Sequence, residues 1–304
     1  MIDRNVSFSQ LKSWQDCRRQ WAYKFRDGYR PTAPKQEFMR GTMLHLGMEL
    51  ALTGGTWDDA VVAWEEEWGA TENLVVEPGW FEGCKEIVDG AIAVFNRDWR
   101  VIDDARGPLI ERRMYINLPQ WYRGIVFIPD VVAEKRREPY KGGVFGIDFK
   151  SFGKPKEALA GDVDLQSAIY QYGLRSKGYK ALGSCMFQMA TEPRRPVRLK
   201  KDGEPYAGDQ ERFDNWSAVT GQILTVRSDD MLDGIWNQAV LPVIQQMWAV
   251  ESLSPTGDQP PHLDYYGCKY CEFFAPCQAR LKGHDEDAIL ADNYTRRVPR
   301  QKGV

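Results

Sequence analysis

The sequence contains no apolar run long enough to cross a membrane, and its N-terminus lacks the apolar core of a signal peptide. Both absences predict a cytoplasmic protein. An excess of charge of either sign is also lacking: 40 Lys and Arg against 43 Asp and Glu leave a formal net charge of −3. Attraction of a polyanion must therefore come from local basic patches, for which Arg18-Arg19, Lys135-Arg136-Arg137, the stretch from Arg194 to Lys201 and Arg296-Arg297 are the candidates. No internal repeat and no low-complexity run is present. In a compartment that keeps thiols reduced, the six cysteines argue for metal ligands or buried thiols before disulfides. What remains is 304 residues with 43% hydrophobic content, enough to bury a substantial core as one elaborated domain or one domain with a helical subdomain.

The pattern predicts a first helix from about Ser9, which would cap it, with Leu11, Trp14, Trp21 and Phe25 near one face. Pro31 and Pro34 mark a break. A helix carrying His45 follows, then helices over Trp57 to Trp68 and Phe81 to Trp99. Strands are predicted next, from about Ile110 to Leu118 and over the aromatic and β-branched stretch from Trp121 to Val132. The Gly142-Gly143 turn precedes an apolar run from Val144 to Phe149, which reads as a hairpin. Lys201 to Glu204 is a turn, Asp229 to Val250 a long helix, and Ser254 to Pro261 a loop leading to the last cysteines.

Two short segments carry the chemistry. Ile128-Pro129-Asp130 and Ile147-Asp148-Phe149-Lys150 spell PD followed by D-x-K. Side chains alternate along a strand, so Ile147 and Phe149 face a core while Asp148 and Lys150 project together from the other face. If the hairpin brings Asp130 beside Asp148, two carboxylates and an ammonium converge. That grouping holds a hard divalent cation with oxygen ligands and sets a lysine beside the water or phosphate that the cation polarises. A lone D-x-K triplet also suits a solvated strand edge; the hairpin is what distinguishes the two.

These segments resemble the PD-(D/E)XK nuclease superfamily, in which both motifs sit on neighbouring strands of one small sheet. More of the chain is similar to its RecB-like branch. Ser7-Phe8-Ser9-Gln10-Leu11-Lys12-Ser13-Trp14-Gln15-Asp16-Cys17 resembles the branch's N-terminal element, Gly41-Thr42-Met43-Leu44-His45 its G-x-x-x-H element, and Asp164-Leu165-Gln166-Ser167-Ala168-Ile169-Tyr170 its Q-x-x-x-Y helix. Cys268-Lys269-Tyr270-Cys271 followed by Cys277 resembles the iron-sulfur cysteines of AddB-type and CRISPR-adaptation nucleases. The matches run in family order from Ser7 to Cys277.

The resemblance implies an α/β fold: a restriction-endonuclease-like core with a central mixed sheet flanked by helices, a helical insert over about 50–105, and an iron-sulfur staple between segments at about 7–30 and 262–282. Residues 1–292 would form one nuclease domain, and 293–304 a basic tail. Asp130 and Asp148 would be carboxylate ligands for Mg2+ or Mn2+, with the backbone carbonyl of Phe149 a third oxygen. His45 resembles the extra metal ligand of RecB-like nucleases, and an imidazole suits Mn2+ better than Mg2+. Glu111, at the start of a candidate strand, is a further ligand or a water orienter. Lys150 would orient water or counter charge on the phosphate. A lowered pKa and a role as base are equally open to it. Gln166 and Tyr170, one helical turn apart, would position the scissile phosphate or Lys150.

C-x2-C-x5-C supplies three thiolates and Cys17 a candidate fourth. Iron-sulfur clusters and zinc both accept four; through the resemblance the set is read as a 4Fe-4S cluster, with Zn2+ the alternative. Cys84 and Cys185 read as buried thiols. The function implied is a metal-dependent DNA nuclease, an exonuclease on free DNA ends in recombination, repair or phage DNA processing, with a recombination or adaptation protein as partner and no membrane. The alternative is a non-catalytic DNA-binding or complex-forming subunit with a structural metal site.

Overall fold

The computed structural model describes residues 2–32, 36–68, 76–118, 120–153, 156–157, 161, 164–253 and 257–296. Pro34, Ser254 and the tail from Arg297 lie outside them. The chain forms two compact units: Met1–Pro34 with Tyr115–Phe127 and Asp233–Val304, and Lys35–Met114 with Ile128–Leu232.

The second unit is built on a five-stranded mixed sheet in the order Val219–Val226, Ala181–Met189, Val144–Ser151, Val131–Lys135, Trp99–Val101. Val131–Lys135 pairs antiparallel with Val144–Ser151 (Val131 opposite Ile147), so a hairpin forms, but its first arm is Val131–Lys135; Tyr122–Phe127, expected in that arm, pairs in another sheet. Val144–Ser151 runs parallel to Ala181–Met189. A parallel pair needs a crossover, and the helix Leu165–Ser176 lies on that connection.

Alternation along Val144–Ser151 divides its side chains between two layers. Phe145, Ile147 and Phe149 are fully buried among residues of the helices Gln36–Thr53, Trp57–Trp68 and Trp80–Asp98. Phe149 meets Phe95 and Phe187 edge-on, with ring centroids 6.0 and 5.5 Å away. Burying one such ring stabilises by about 1.5–3 kcal/mol. Gly146, on the other face, lets the Leu165–Ser176 helix approach: a Cβ there would stand 3.1 Å from Leu174 and 3.4 Å from Tyr170. Cys84 and Cys185 are buried, as expected.

The first unit holds a three-stranded sheet in the order Ile2–Ser7, Tyr122–Phe127, Met114–Asn117, and a small core of Tyr23, Phe273 and Leu290 with Cys271 and Cys277 packed against it. The first helix departs from expectation. It spans Phe8–Asp16 and is capped by Ser7, whose side chain accepts from the Gln10 N–H. Ser7 ends a strand, so its extended backbone meets the cap requirement that Ser9, inside the helix, does not. The predicted Ile110 to Leu118 strand is shorter as well, beginning at Met114. Glu111 occupies a bend at φ 45°. Among the described residues no helix is long and apolar enough to cross a membrane.

Candidate active site

Asp130 immediately precedes the strand Val131–Lys135, and Asp148 lies inside the next strand; each is only 8% exposed. The Phe149 backbone N–H donates to Asp130 Oδ2. The side chain of one motif is thus tied to the backbone of the other. Lys150, two residues beyond Asp148 and on the same face, places Nζ 2.8 Å from Asp148 Oδ2. Asp148 Oδ1 accepts from Gln166 Nε2 at 3.1 Å. Gln166 also donates to Tyr170 Oη at 2.6 Å, and Tyr170 donates to the Ile128 carbonyl at 2.8 Å. The Q-x-x-x-Y face therefore bridges from Asp148 to the backbone of the PD segment.

His45 approaches from the Gln36–Thr53 helix, its Nδ1 3.5 Å from Asp130 Oδ2. The Glu111 N–H donates to the Asp130 carbonyl at 2.9 Å. His45, Glu111 and Asp130 bring ligand atoms within 4.8 Å of one another. Glu111 does so from a left-handed backbone, which costs a non-glycine residue on the order of 1 kcal/mol or more.

Electrostatics fit a site built for a cation. Burial, then the neighbouring Asp130 and Glu49 carboxylates, push Glu111 up to about 8. Burial holds Asp130 at about 6 against the opposing Phe149 N–H and Lys150. Burial and Asp130 hold Asp148 at about 7. Burial likewise lowers His45 and raises Tyr170. For Lys150, burial works downward, but Asp148 and Asp130 outweigh it and leave the amine above its ordinary value. Lys150 is therefore an ammonium beside Asp148. Like charges crowded in low dielectric resist ionisation, and a divalent cation relieves that cost.

Glu49 was missing from the sequence expectations. It stands one turn beyond His45 on the same helix and acts on His45, Glu111 and Asp130. The i,i+4 spacing from His45 was the available signal.

The thiols of Cys17, Cys268, Cys271 and Cys277 line one cavity of about 410 Å3 in the first unit, together with Arg19 and His262. Cys17 Sγ accepts from the His262 N–H at 3.4 Å, and Cys277 Sγ from Arg19 Nη1 at 3.8 Å. Burial raises Cys277 and pushes Cys271 up to about 11.

Two residues of the expected basic patches face inward. Arg19 is 7% exposed and bonds the Gln259 carbonyl and Asp258. Lys135 is 6% exposed and covers the Trp99 ring at 4.4 Å. In both, the aliphatic stem and the charged head find partners within their own unit. Arg136, Arg137, Lys200, Lys201 and Arg296 are exposed.

No curated protein gives a significant match to the chain. A family model for the PD-(D/E)XK nuclease superfamily matches residues 5–278. That span takes in both strands of the hairpin, the helix of Gln166 and Tyr170 and all four cysteines of the cavity, and the chain belongs to the PD-(D/E)XK nuclease superfamily.

Proposed function

We propose that the protein is a divalent-metal-dependent deoxyribonuclease of RecB-like type, acting as an exonuclease on DNA ends in recombination, repair or phage DNA processing. The observation that carries this reading is the meeting of Asp130, just ahead of the strand Val131–Lys135, with Asp148 on the neighbouring strand, both buried, with the Lys150 ammonium on Asp148. Asp130, Asp148 and the Phe149 carbonyl would hold Mg2+ or Mn2+, with His45 and Glu111 as further ligands. Oxygen donors with one imidazole suit Mn2+ at least as well as Mg2+. The cation supplies Lewis acidity toward the phosphate and a more acidic water.

The chain's own residues supply position and charge. Lys150 places a positive charge where negative charge develops on the phosphate. Gln166, held between Asp148 and Tyr170, fixes the rotamer of Asp148 and leaves its second oxygen to Lys150. Raised carboxylate values mean that metal binding displaces protons from the site.

The four cavity-lining cysteines would hold a 4Fe-4S cluster. Four cysteines on one cavity supply the thiolates that a cluster or Zn2+ takes, and the resemblance to iron-sulfur cysteines favours the cluster. Cys17 is then tied to the C-terminal trio within the first unit, and metal binding contributes to that unit's folding.

The test is incubation of anaerobically purified protein with end-labelled linear DNA and covalently closed circular DNA, each with Mg2+, Mn2+ or EDTA. Metal-dependent loss of label from linear DNA with intact circles supports an exonuclease. Cutting of circles makes it an endonuclease, and binding without cutting makes it a non-catalytic subunit.

A further inference from the structure

Beneath the helix that carries Gln166 and Tyr170 lies a polar network that the metal site does not use. Arg227, one residue past the strand Val219–Val226, is 2% exposed. Its Nη1 donates to Ser167 Oγ at 2.9 Å, and its Nη2 donates to the Gly161 carbonyl at 2.7 Å and reaches the Asp164 carbonyl at 3.5 Å. Ser167 Oγ is also hydrogen-bonded to Ser184 Oγ. The Arg227 carbonyl accepts from Gln171 Nε2 at 3.0 Å and from Arg175 Nη2 at 3.2 Å. Arg227 thus grips the Leu165–Ser176 helix at its first turn through the guanidinium and farther along through its backbone.

The grip lands where it matters for the site. Asp164 caps the helix, accepting from the Gln166 and Ser167 N–H groups, and Gln166 is the residue that donates to Asp148. Gly161 adds a second fixed point. A Cβ there would stand 2.3 Å from Thr225 Oγ1 and 2.7 Å from Ile223 Cγ2, so the backbone lies directly against the Val219–Val226 strand. A guanidinium is suited to this role because its planar fork donates to several acceptors in fixed directions, which a lysine cannot reproduce.

We infer that Arg227 is a positioning residue: it clamps Gly161, Asp164 and the first turn of the helix so that Gln166 meets Asp148. This inference rests on the nuclease reading above. A displacement of about 1 Å in such a support can cost about a hundredfold in rate.

The test is a double-mutant cycle between Arg227→Lys and Gln166→Ala, read both as kcat on end-labelled DNA and as Mn2+ affinity by calorimetry. The expected result is that Arg227→Lys folds, keeps KM within about threefold and loses on the order of tenfold to a hundredfold in kcat, with weaker Mn2+ binding. In the Gln166→Ala background the same substitution should cost less than about threefold in either readout, because the partner it positions is gone. Equal losses in both backgrounds, or wild-type kcat and Mn2+ affinity in a folded Arg227→Lys, would overturn the inference. Gly161→Ala, which disturbs the Gly161 end of the clamp against Thr225 and Ile223, replaces Arg227→Lys in the cycle if that variant does not fold, with the same two outcomes. Should wild-type protein cut no DNA, the nuclease reading fails, and the Mn2+ arm alone decides the role of Arg227.

Discussion

Asp148 and Lys150 lie on one face of one strand, and Lys150 Nζ stands 2.8 Å from Asp148 Oδ2. The pair unites the acid that would hold the metal with the cation that would face the phosphate. Lys150→Ala should lower cleavage about a thousandfold, roughly 4 kcal/mol of transition-state stabilisation, while DNA affinity changes less than about tenfold. Single-turnover cleavage beside a binding titration checks this; cleavage within threefold of wild type would remove Lys150 from the chemistry.

Stability of the metal-free protein should depend on pH through the buried acids. Glu111, Asp130 and Asp148 hold their protons up to about 8, 6 and 7, against ordinary values of 4.5, 3.8 and 3.8. A group raised in the folded state contributes stability that is complete below its unfolded value and is lost as pH rises through its folded value. In EDTA, Tm should therefore fall as pH rises from about 4 to about 8. Glu111→Gln should flatten the upper part of that fall, and Mn2+ should reverse it, since the metal binds the deprotonated site. His45 works the other way at lower pH, which the comparison with Glu111→Gln cancels. Identical Tm profiles for wild type and Glu111→Gln in EDTA would contradict the electrostatic account.

Glu111 is held at φ 45°. Glycine reaches that region without the Cβ penalty, so Glu111→Gly should be more stable than Glu111→Ala by about 1 kcal/mol, although both lack the carboxylate and both should bind Mn2+ more weakly. Chemical denaturation of the two variants measures the difference; equal stability would mean that the backbone carries no strain there.

The cysteine cavity makes a separate prediction. Serine is nearly isosteric with cysteine but a poor iron ligand, so Cys17→Ser should lose visible absorption, iron and sulfide, and melt at lower temperature. Cys84→Ser, altered outside the cavity, should keep its colour. Full cluster content in Cys17→Ser would refute that ligand, and a colourless wild type containing zinc would refute the cluster.

Much of this site was legible in the sequence because its signals are local. The Gly142-Gly143 turn and two-residue alternation placed Asp130 beside Asp148 and split Phe149 from Lys150; the four-residue spacing put Gln166 and Tyr170 on one face. Ser7 is not legible as the cap because the strand that ends on it pairs with Tyr122–Phe127, distant in the chain. Glu111 was expected in a strand, but its carboxylate joins Asp130 from a bend. Nothing local marks Arg227: its partners lie at Gly161, Asp164 and Ser167, and only the folded sheet brings them together. Arg19 and Lys135 looked like surface charge because burial of a long cation depends on partners distant in the chain.

The most direct measurement is cleavage of end-labelled duplex DNA by wild type and Asp148→Ala, each with Mn2+ and with EDTA, beside a binding titration for both. The account predicts Mn2+-dependent loss of label by wild type, at least about a thousandfold slower loss by Asp148→Ala, no cleavage by either in EDTA, and similar DNA affinity. Cleavage by folded Asp148→Ala at the wild-type rate, or cleavage by wild type that EDTA leaves unchanged, would contradict it.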